Sequence, residues 1–479
     1  MSLKLLGKQS LIYGVGHVAV RGVTFLLLPL YTNVFSLQDY GVISLAYTFL
    51  GFMGIVLNYG LDASLLKHYV PADKSERTSI LTTAYFSFFL TTLVFSLLFF
   101  LFRSQVGTLL FGDANPEIAG LIAVILFLDT LWSIHVLILR AEGRAYKFTS
   151  VNFFNVIITL TLNLIFVLKF QWGILGVLLS NAITSFIIFT TTFPIIFQRI
   201  SLSKLSWIQW KKLMHFGLPF LPSGIFAMIL ELSDRYILRY ITDVGTVGLY
   251  NAGYKLGMLM MLVVMGFNMA WQPFFLKKEV QDRDYIARVT TITLAVLSFL
   301  FILILLWTDS IVTLNIGSFS LIGAEYWSAT KIVSLIALAY IFHAAYLLQL
   351  PGVYLLEKPY WIPWIRGVVA VSNIALNFLL IPYYGIMGAA TATCISFLLM
   401  AVLLFVVNKR FFLVKYEWNK ILIICSTVFF IWLLQSTYEL NIIVKLLFTV
   451  VFPFSLIQFG VVNLKSIFFL FSKKELPQN

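Results

Sequence analysis

The segment ELSDRYILRY, residues 231–240, places two acids and two bases at the end of a run with no charge, FGLPFLPSGIFAMIL at 216–230. Glu231, Asp234 and Arg235 stand at i, i+3 and i+4, so on a helix they share one face. Gly224 and Ala227 lie below them on that face, and small residues allow close helix approach or leave open volume. Such a face can hold a carboxylate–guanidinium pair, and a guanidinium is also a planar fork for phosphate. If the helix enters a bilayer near His215, Arg235 lies about 30 Å up, near the far surface. An ion pair that sets the helix at that boundary and a charge lining a wet cavity are both open readings.

A second stripe lies near the start. Ser10, Gly14, His17, Arg21 and Thr24 are spaced by three or four residues and fall on one helical face. Counted from Gln9, Arg21 is about 18 Å along the helix, near mid-membrane and too deep for easy snorkelling. An ionisable residue in a span costs roughly 2.5–3.5 kcal/mol on insertion scales and usually faces the bundle interior or a wet cavity. Arg21 is read as a cavity-lining cation, with a structural arginine tied to neighbouring carbonyls as the bland alternative. Lys255 has Asn251 one turn away, and faces inward or snorkels outward. Asp62 with Asn58 at i, i+4, Asp129 and His343 are candidates for a coupling ion. A lone histidine on an apolar helix is more often packing, which ranks His343 low, and Arg366 is close enough to an edge to anchor it. The deep charges lean cationic, and a basic cavity calls for an anion such as phosphate.

The rest of the chain supplies helices to hold these charges. It has 479 residues, 60% hydrophobic and 11% charged, and mean hydropathy is +0.95. Soluble proteins carry about 25% charged residues, so a large soluble enzyme is excluded. Fourteen apolar runs reach the roughly 20 residues that a bilayer-spanning helix needs. They lie near 10–34, 41–65, 79–102, 118–139, 148–168, 173–197, 216–238, 247–274, 287–308, 328–355, 361–382, 385–408, 419–436 and 446–471. The first is long enough to stay as a span rather than a cleaved signal. With the N-terminus inside, inner segments hold 25 Lys and Arg residues and outer ones five. That asymmetry predicts both termini in the cytoplasm and assigns the net charge of +13 to topology, not to nucleic acid.

LSKLSWIQWKKLMHF, at 201–216 less its first Ser, reads as an amphipathic interfacial helix and a hinge. Pro219 and Pro222 are expected to bend the next helix near its inner end. LNLIFVLKFQWGILGVLLSNAITSF echoes LNFLLIPYYGIMGAATATCISF, and GVISLAY at 41–47 echoes GLYNAGY at 248–254. Six spans per half make the repeats parallel. The predicted fold is all-α and integral to the membrane, with two six-helix lobes around a cleft and two further helices. The predicted segments are 1–199, a linker helix at 200–215, 216–410, and 411–479 with the last two spans and a tail. Cys394 and Cys425 lie in apolar runs and read as inert packing residues.

Three stretches resemble one family. FLLLPLYTNVFSLQDYGVISLAYTFLGF, DRYILRYITDVGTVGLYNAGYKLG with AWQPFF after it, and NFLLIPYYGIMGAATATCISF are similar to the polysaccharide transporters, the Wzx-type flippases of the multidrug/oligosaccharidyl-lipid/polysaccharide exporter superfamily. The resemblance covers nearly the whole chain. It implies a V-shaped central cavity, alternating access, a bacterial cytoplasmic membrane and an undecaprenyl-pyrophosphate-linked oligosaccharide as cargo. It implies a monomer with no cofactor beyond a coupling proton or sodium ion, working beside other glycan-assembly proteins. Basic residues line the family's cavity, which Arg21 with His17 fits, and Arg235, Lys255 and Asn251 are further substrate-binding candidates. Glu231 and Asp234 would then hold Arg235 until an anionic headgroup arrives.

A drug or cation antiporter of the same superfamily is the alternative. It commonly has an acid in the first span, whereas no Asp or Glu lies between Ser10 and Phe35. An enzyme of glycan assembly usually needs a sizeable extramembrane loop. No such loop, phosphate-binding glycine loop or metal-ligand cluster is present in the sequence.

Overall fold

The structure, a computed structural model, describes residues 25–112, 115–275, 283–317, 319–358, 360–438 and 440–461. Its described elements are helices apart from one short hairpin, Asn315–Ile316 against Phe319–Ser320. Among the described residues, ten helices are long and apolar enough to cross a bilayer, or twelve if each of two bent pairs is one span. Two shorter apolar helices are Phe25–Val34, within the first expected run, and Ile442–Gln458, which starts four residues before the last one. His17 and Arg21 lie outside the described residues.

The chain forms two compact units, 1–252 with 370–389 and 253–369 with 390–479. In the first, α1 (Phe25–Val34) leads to α2 (Leu37–Asn58). Ser36 caps α2 by accepting from the Asp39 N–H at 3.2 Å. The run expected at 41–65 is not one helix. Tyr59 and Gly60 take left-handed φ values of 35° and 75°, and α3 (Leu61–Tyr69) starts afresh. A Cβ on Gly60 would lie 2.0 Å from the Gly217 carbonyl oxygen, so the turn needs a glycine where another helix end passes.

Next come α4 (Lys74–Leu101), α5 (Arg103–Phe111), α6 (Pro116–Ala141), α7 (Ala145–Asn163) and α8 (Gly173–Phe197). A π-helical stretch, Leu164–Lys169, joins α7 to the corner before α8. α6 sits centrally against α2, α4, α5 and α8. Lipid is as apolar as leucine, so packing and interhelical hydrogen bonds must hold these helices together. His135 of α6 meets the Thr192 hydroxyl of α8 at 2.7 Å, and Asp129 meets the Ser185 hydroxyl at 2.5 Å.

The linker helix α9 (Trp207–Gly217) is capped by Ser206. It buries Leu213 and Met214 against Leu61, Leu65, Ile80 and Ile138, and leaves Trp207 and Ile208 exposed. α10 (Phe220–Ile241) leaves it at 44°. The bend falls at Pro219, and Pro222 sits in the first turn of α10, where its missing N–H costs least.

Then α11 (Val244–Gly257) crosses α2. A Cβ on Gly41 would lie 1.9 Å from the Val244 carbonyl oxygen, and one on Gly248 would lie 2.1 Å from that of Leu37. Gly41 and Gly248 begin the two echoed segments GVISLAY and GLYNAGY. Equivalent residues of the repeat therefore approach each other, and only glycine lets the backbones come this close.

The second unit contains α12 (Leu259–Phe275), α13 (Arg283–Val312), α14 (Thr330–Leu348), α15 (Pro351–Leu355), α18 (Trp418–Thr437) and α19 (Ile442–Gln458). α16 (Trp361–Tyr384) and α17 (Ile386–Phe411) are shared between the units at 369/370 and 389/390. α13 packs on α14, α18 and α19, and the Trp307 indole donates to the Thr449 hydroxyl at 3.1 Å. Asn408 donates to the Gln349 carbonyl at 2.7 Å, where Gly352 leaves room for it. Cys394 is buried, but Cys425 is exposed on α18, so it is not the packing residue its apolar setting suggested.

Candidate functional site

The charges of α10 close on themselves. Asp234 and Arg235 are 1% and 5% exposed, and their Oδ1 and Nη1 atoms are 2.9 Å apart. Sequence neighbours on a helix normally diverge. Here the Asp234 carboxylate turns back, and its Oδ1 also accepts the Arg235 backbone N–H at 2.9 Å. Tyr250 of α11 donates its hydroxyl to Oδ2 at 2.5 Å. Arg235 Nη1 also donates to the Glu231 carbonyl at 2.7 Å, and its guanidinium stands 5.8 Å from the Tyr250 ring centroid. The ion pair is therefore between Asp234 and Arg235 at i, i+1, whereas the spacing pointed to Glu231 and Arg235 at i, i+4, and Glu231 meets the guanidinium through its backbone oxygen. Burying two charges is costly, and only full hydrogen bonding offsets that.

The cluster extends through tyrosines. Tyr40 of α2 and Asn251 of α11 are both buried, and the Asn251 amide interacts with the Tyr40 phenol. Tyr31 of α1 is 6.0 Å from the Tyr40 ring and donates to Asn163 Oδ1 at 2.7 Å. A hydrogen bond thus links α7 to α1, and an aromatic contact links α1 to α2. Sequence reasoning missed Tyr250, Tyr40 and Tyr31, because tyrosine in an apolar run gives no charge signal. The echoed segments were the available clue, since Asn251 and Tyr250 lie inside the second one.

The other candidates are separate. Lys255 sits half-buried in the last turn of α11, just before its break at Met258, in the second unit. Asp62 is exposed in the first turn of α3, and its N–H donates to Asn58 Oδ1 at 3.1 Å, which fits a helix start. Asp129 accepts from the Trp132 indole at 2.9 Å as well as from Ser185. His343 packs among the rings of Tyr340, Tyr346 and Phe397, the last at 5.0 Å. Among the described residues no group of three or more His, Cys, Asp or Glu could hold a metal ion.

A family of sequences described as "Polysaccharide biosynthesis protein" matches residues 6–279, more than half of the chain. The chain belongs to this family. A protein of the Lsg locus of Haemophilus influenzae is 22% identical over 405 residues, covering 80% of this chain and 94% of that protein. A membrane protein of the same organism is 21% identical over 282 residues, 57% of this chain and 65% of its own length. The fold is that of known transporters. It matches a lipid II flippase, MurJ, in its inward closed conformation with a TM-score of 0.73 at 16% identity, over 94% of this chain and 99% of that one. It matches an inward-facing multidrug-resistance MATE transporter with a TM-score of 0.66 at 12% identity, over 82% and 94%. This member of the polysaccharide biosynthesis family is thus a multi-pass membrane protein with a fold like that of these two transporters.

Proposed function

We propose that this protein is a flippase that moves an undecaprenyl-pyrophosphate-linked oligosaccharide across a bacterial cytoplasmic membrane by alternating access. The observation that carries this is the family membership joined to a fold shared along 94% of the chain with a lipid II flippase. The fourteen-span topology, the two six-helix lobes and cytoplasmic termini belong to this proposal. So do the segments 1–199, 200–215, 216–410 and 411–479.

In this proposal Arg21, with His17, binds the pyrophosphate. Lys255 and Asn251 extend the basic site. Arg235 starts neutralised by Asp234, and a phosphate displaces that carboxylate as the protein changes state. No cofactor is needed beyond a coupling ion, H+ or Na+, for which Asp62, Asp129 and His343 are candidates. Other glycan-assembly proteins act beside a monomer.

The alternative, a cation-coupled antiporter, is favoured by one observation, the Asp129 carboxylate held inside the α6–α8 pair. A bacterium lacking its own flippase and carrying the matching glycan genes separates the two. Wild type should restore surface glycan, and Arg21→Ala should not, at equal membrane expression. Full surface glycan with Arg21→Ala overturns the role of Arg21.

A further inference from the structure

We propose that the crevice between α7 and α8 holds one acyl chain of an anionic bilayer phospholipid, with the headgroup phosphate on Lys147. The crevice has a volume of about 430 Å³. Its walls are Val151, Phe154 and Ile158 of α7 and Ile187, Thr191 and Ile195 of α8. Lys147 and Ser150 line it from the first turns of α7.

The two helices form a hairpin that is tight at one end and open at the other. At the corner, a Cβ on Gly176 would meet Phe166 at 3.2 Å. Toward the other end the α8 wall is almost wholly β-branched, and such side chains are stiff at χ1 and cannot swing across to fill the gap. Ser150 on the facing wall is too small to do so. The hydroxyls do not make the crevice polar. Thr191 donates to the Ile187 carbonyl at 2.7 Å and Thr192 to that of Ile188 at 2.6 Å, so both donors are used within their own helix. A sugar or peptide would find few partners there, whereas an acyl chain needs none.

The charge picks the headgroup. Lys147 is exposed and lines the crevice, and among the described residues no carboxylate pairs with it. Arg140 and Arg144 stand at the same helix ends. Glu142, the acid beside them, is taken by Arg199, through Nε at 3.0 Å and Nη2 at 3.1 Å, and by Arg144 at 3.1 Å. A basic rim over an apolar slot is complementary to a lipid with a negative phosphate.

The test uses the purified full chain in nanodiscs containing phosphatidylglycerol or phosphatidylcholine with the same photoactivatable acyl chain. Adducts are mapped by mass spectrometry. The expected result is labelling within 150–158 and 187–195, several-fold stronger with phosphatidylglycerol. Lys147→Gln should bring it down to the phosphatidylcholine level, and Ser150→Trp should remove it for both lipids. Equal labelling by the two lipids in wild type, or labelling that survives Ser150→Trp, overturns the proposal. Loss of the label on adding equimolar undecaprenyl phosphate also overturns it, because the occupant is then a polyprenyl lipid.

Discussion

Gly41 of α2 and Gly248 of α11 hold equivalent places on the two sides of one helix crossing. Each lacks a side chain where the carbonyl of the other helix passes: a Cβ added to Gly41 would lie 1.9 Å from the Val244 oxygen, and one added to Gly248 would lie 2.1 Å from that of Leu37. Val244 and Leu37 are themselves equivalent, each four residues before its helix's other contact point, since Gly41 follows Leu37 as Gly248 follows Val244. The crossing therefore has a local two-fold character built from the sequence repeat.

Gly41→Val and Gly248→Val should both separate the helices. The obstacle is backbone oxygen, which cannot rotate away. Overpacking typically costs about 1–3 kcal/mol, and more is expected here. Thermal unfolding in detergent should show a clear fall for both variants. Gly54→Ala, on the same α2 with nothing within 4 Å of its Cβ, should leave stability nearly unchanged. Equal behaviour of all three would contradict the crossing.

The Asp234–Arg235 pair makes a non-additive prediction. Asp234→Ala leaves the Arg235 cation buried and should cost about 3–5 kcal/mol. Tyr250→Phe removes one hydrogen bond to a charged group, worth about 1.5–3 kcal/mol. The double variant Asp234→Ala/Arg235→Ala should be less destabilised than the sum of its singles, because no unpaired charge remains. Denaturation of wild type, Asp234→Ala, Arg235→Ala, the double variant and Tyr250→Phe in one detergent checks this, and simple additivity of the two singles would remove the coupling.

Asp73 supplies a pH dependence outside the spans. It caps α4, accepting from the Glu76 N–H at 2.9 Å and the Ser75 hydroxyl at 3.2 Å. The Glu76 N–H first, and the Ser75 hydroxyl next, hold its carboxyl below the ordinary value. A carboxyl depressed on folding contributes stability above its unfolded pKa, about 3.9, and loses it as pH falls through the folded value. The stability gap between wild type and Asp73→Ala should be level near neutral pH and shrink below about pH 4. A gap that grows in acid would reverse the assignment.

Much of this was legible in the sequence. Long apolar runs give spans directly, but the spacing of Glu231, Asp234 and Arg235 did not reveal that the ion pair is the i, i+1 one. Pro219 gave the bend, while Pro222 falls in the first turn of α10 beyond it. The break at Tyr59–Gly60 was not legible, because its cause is Gly217, more than 150 residues away. Tyr250 was hidden for a similar reason. Its role comes from the fold bringing α11 against α10, and a phenol in an apolar stretch looks like packing until its partner is seen. The echo of GVISLAY in GLYNAGY was visible, but not that the two copies meet each other.

The most direct measurement is lipid translocation in liposomes holding the purified protein. A fluorescent polyprenyl-pyrophosphate sugar is loaded, and its protection from an impermeant quencher is followed for wild type and Arg21→Ala. The flippase account predicts rapid exchange between leaflets with wild type and a loss to the protein-free rate with Arg21→Ala. If wild type leaves the lipid in place but carries a cationic dye across, the account of the cargo is contradicted.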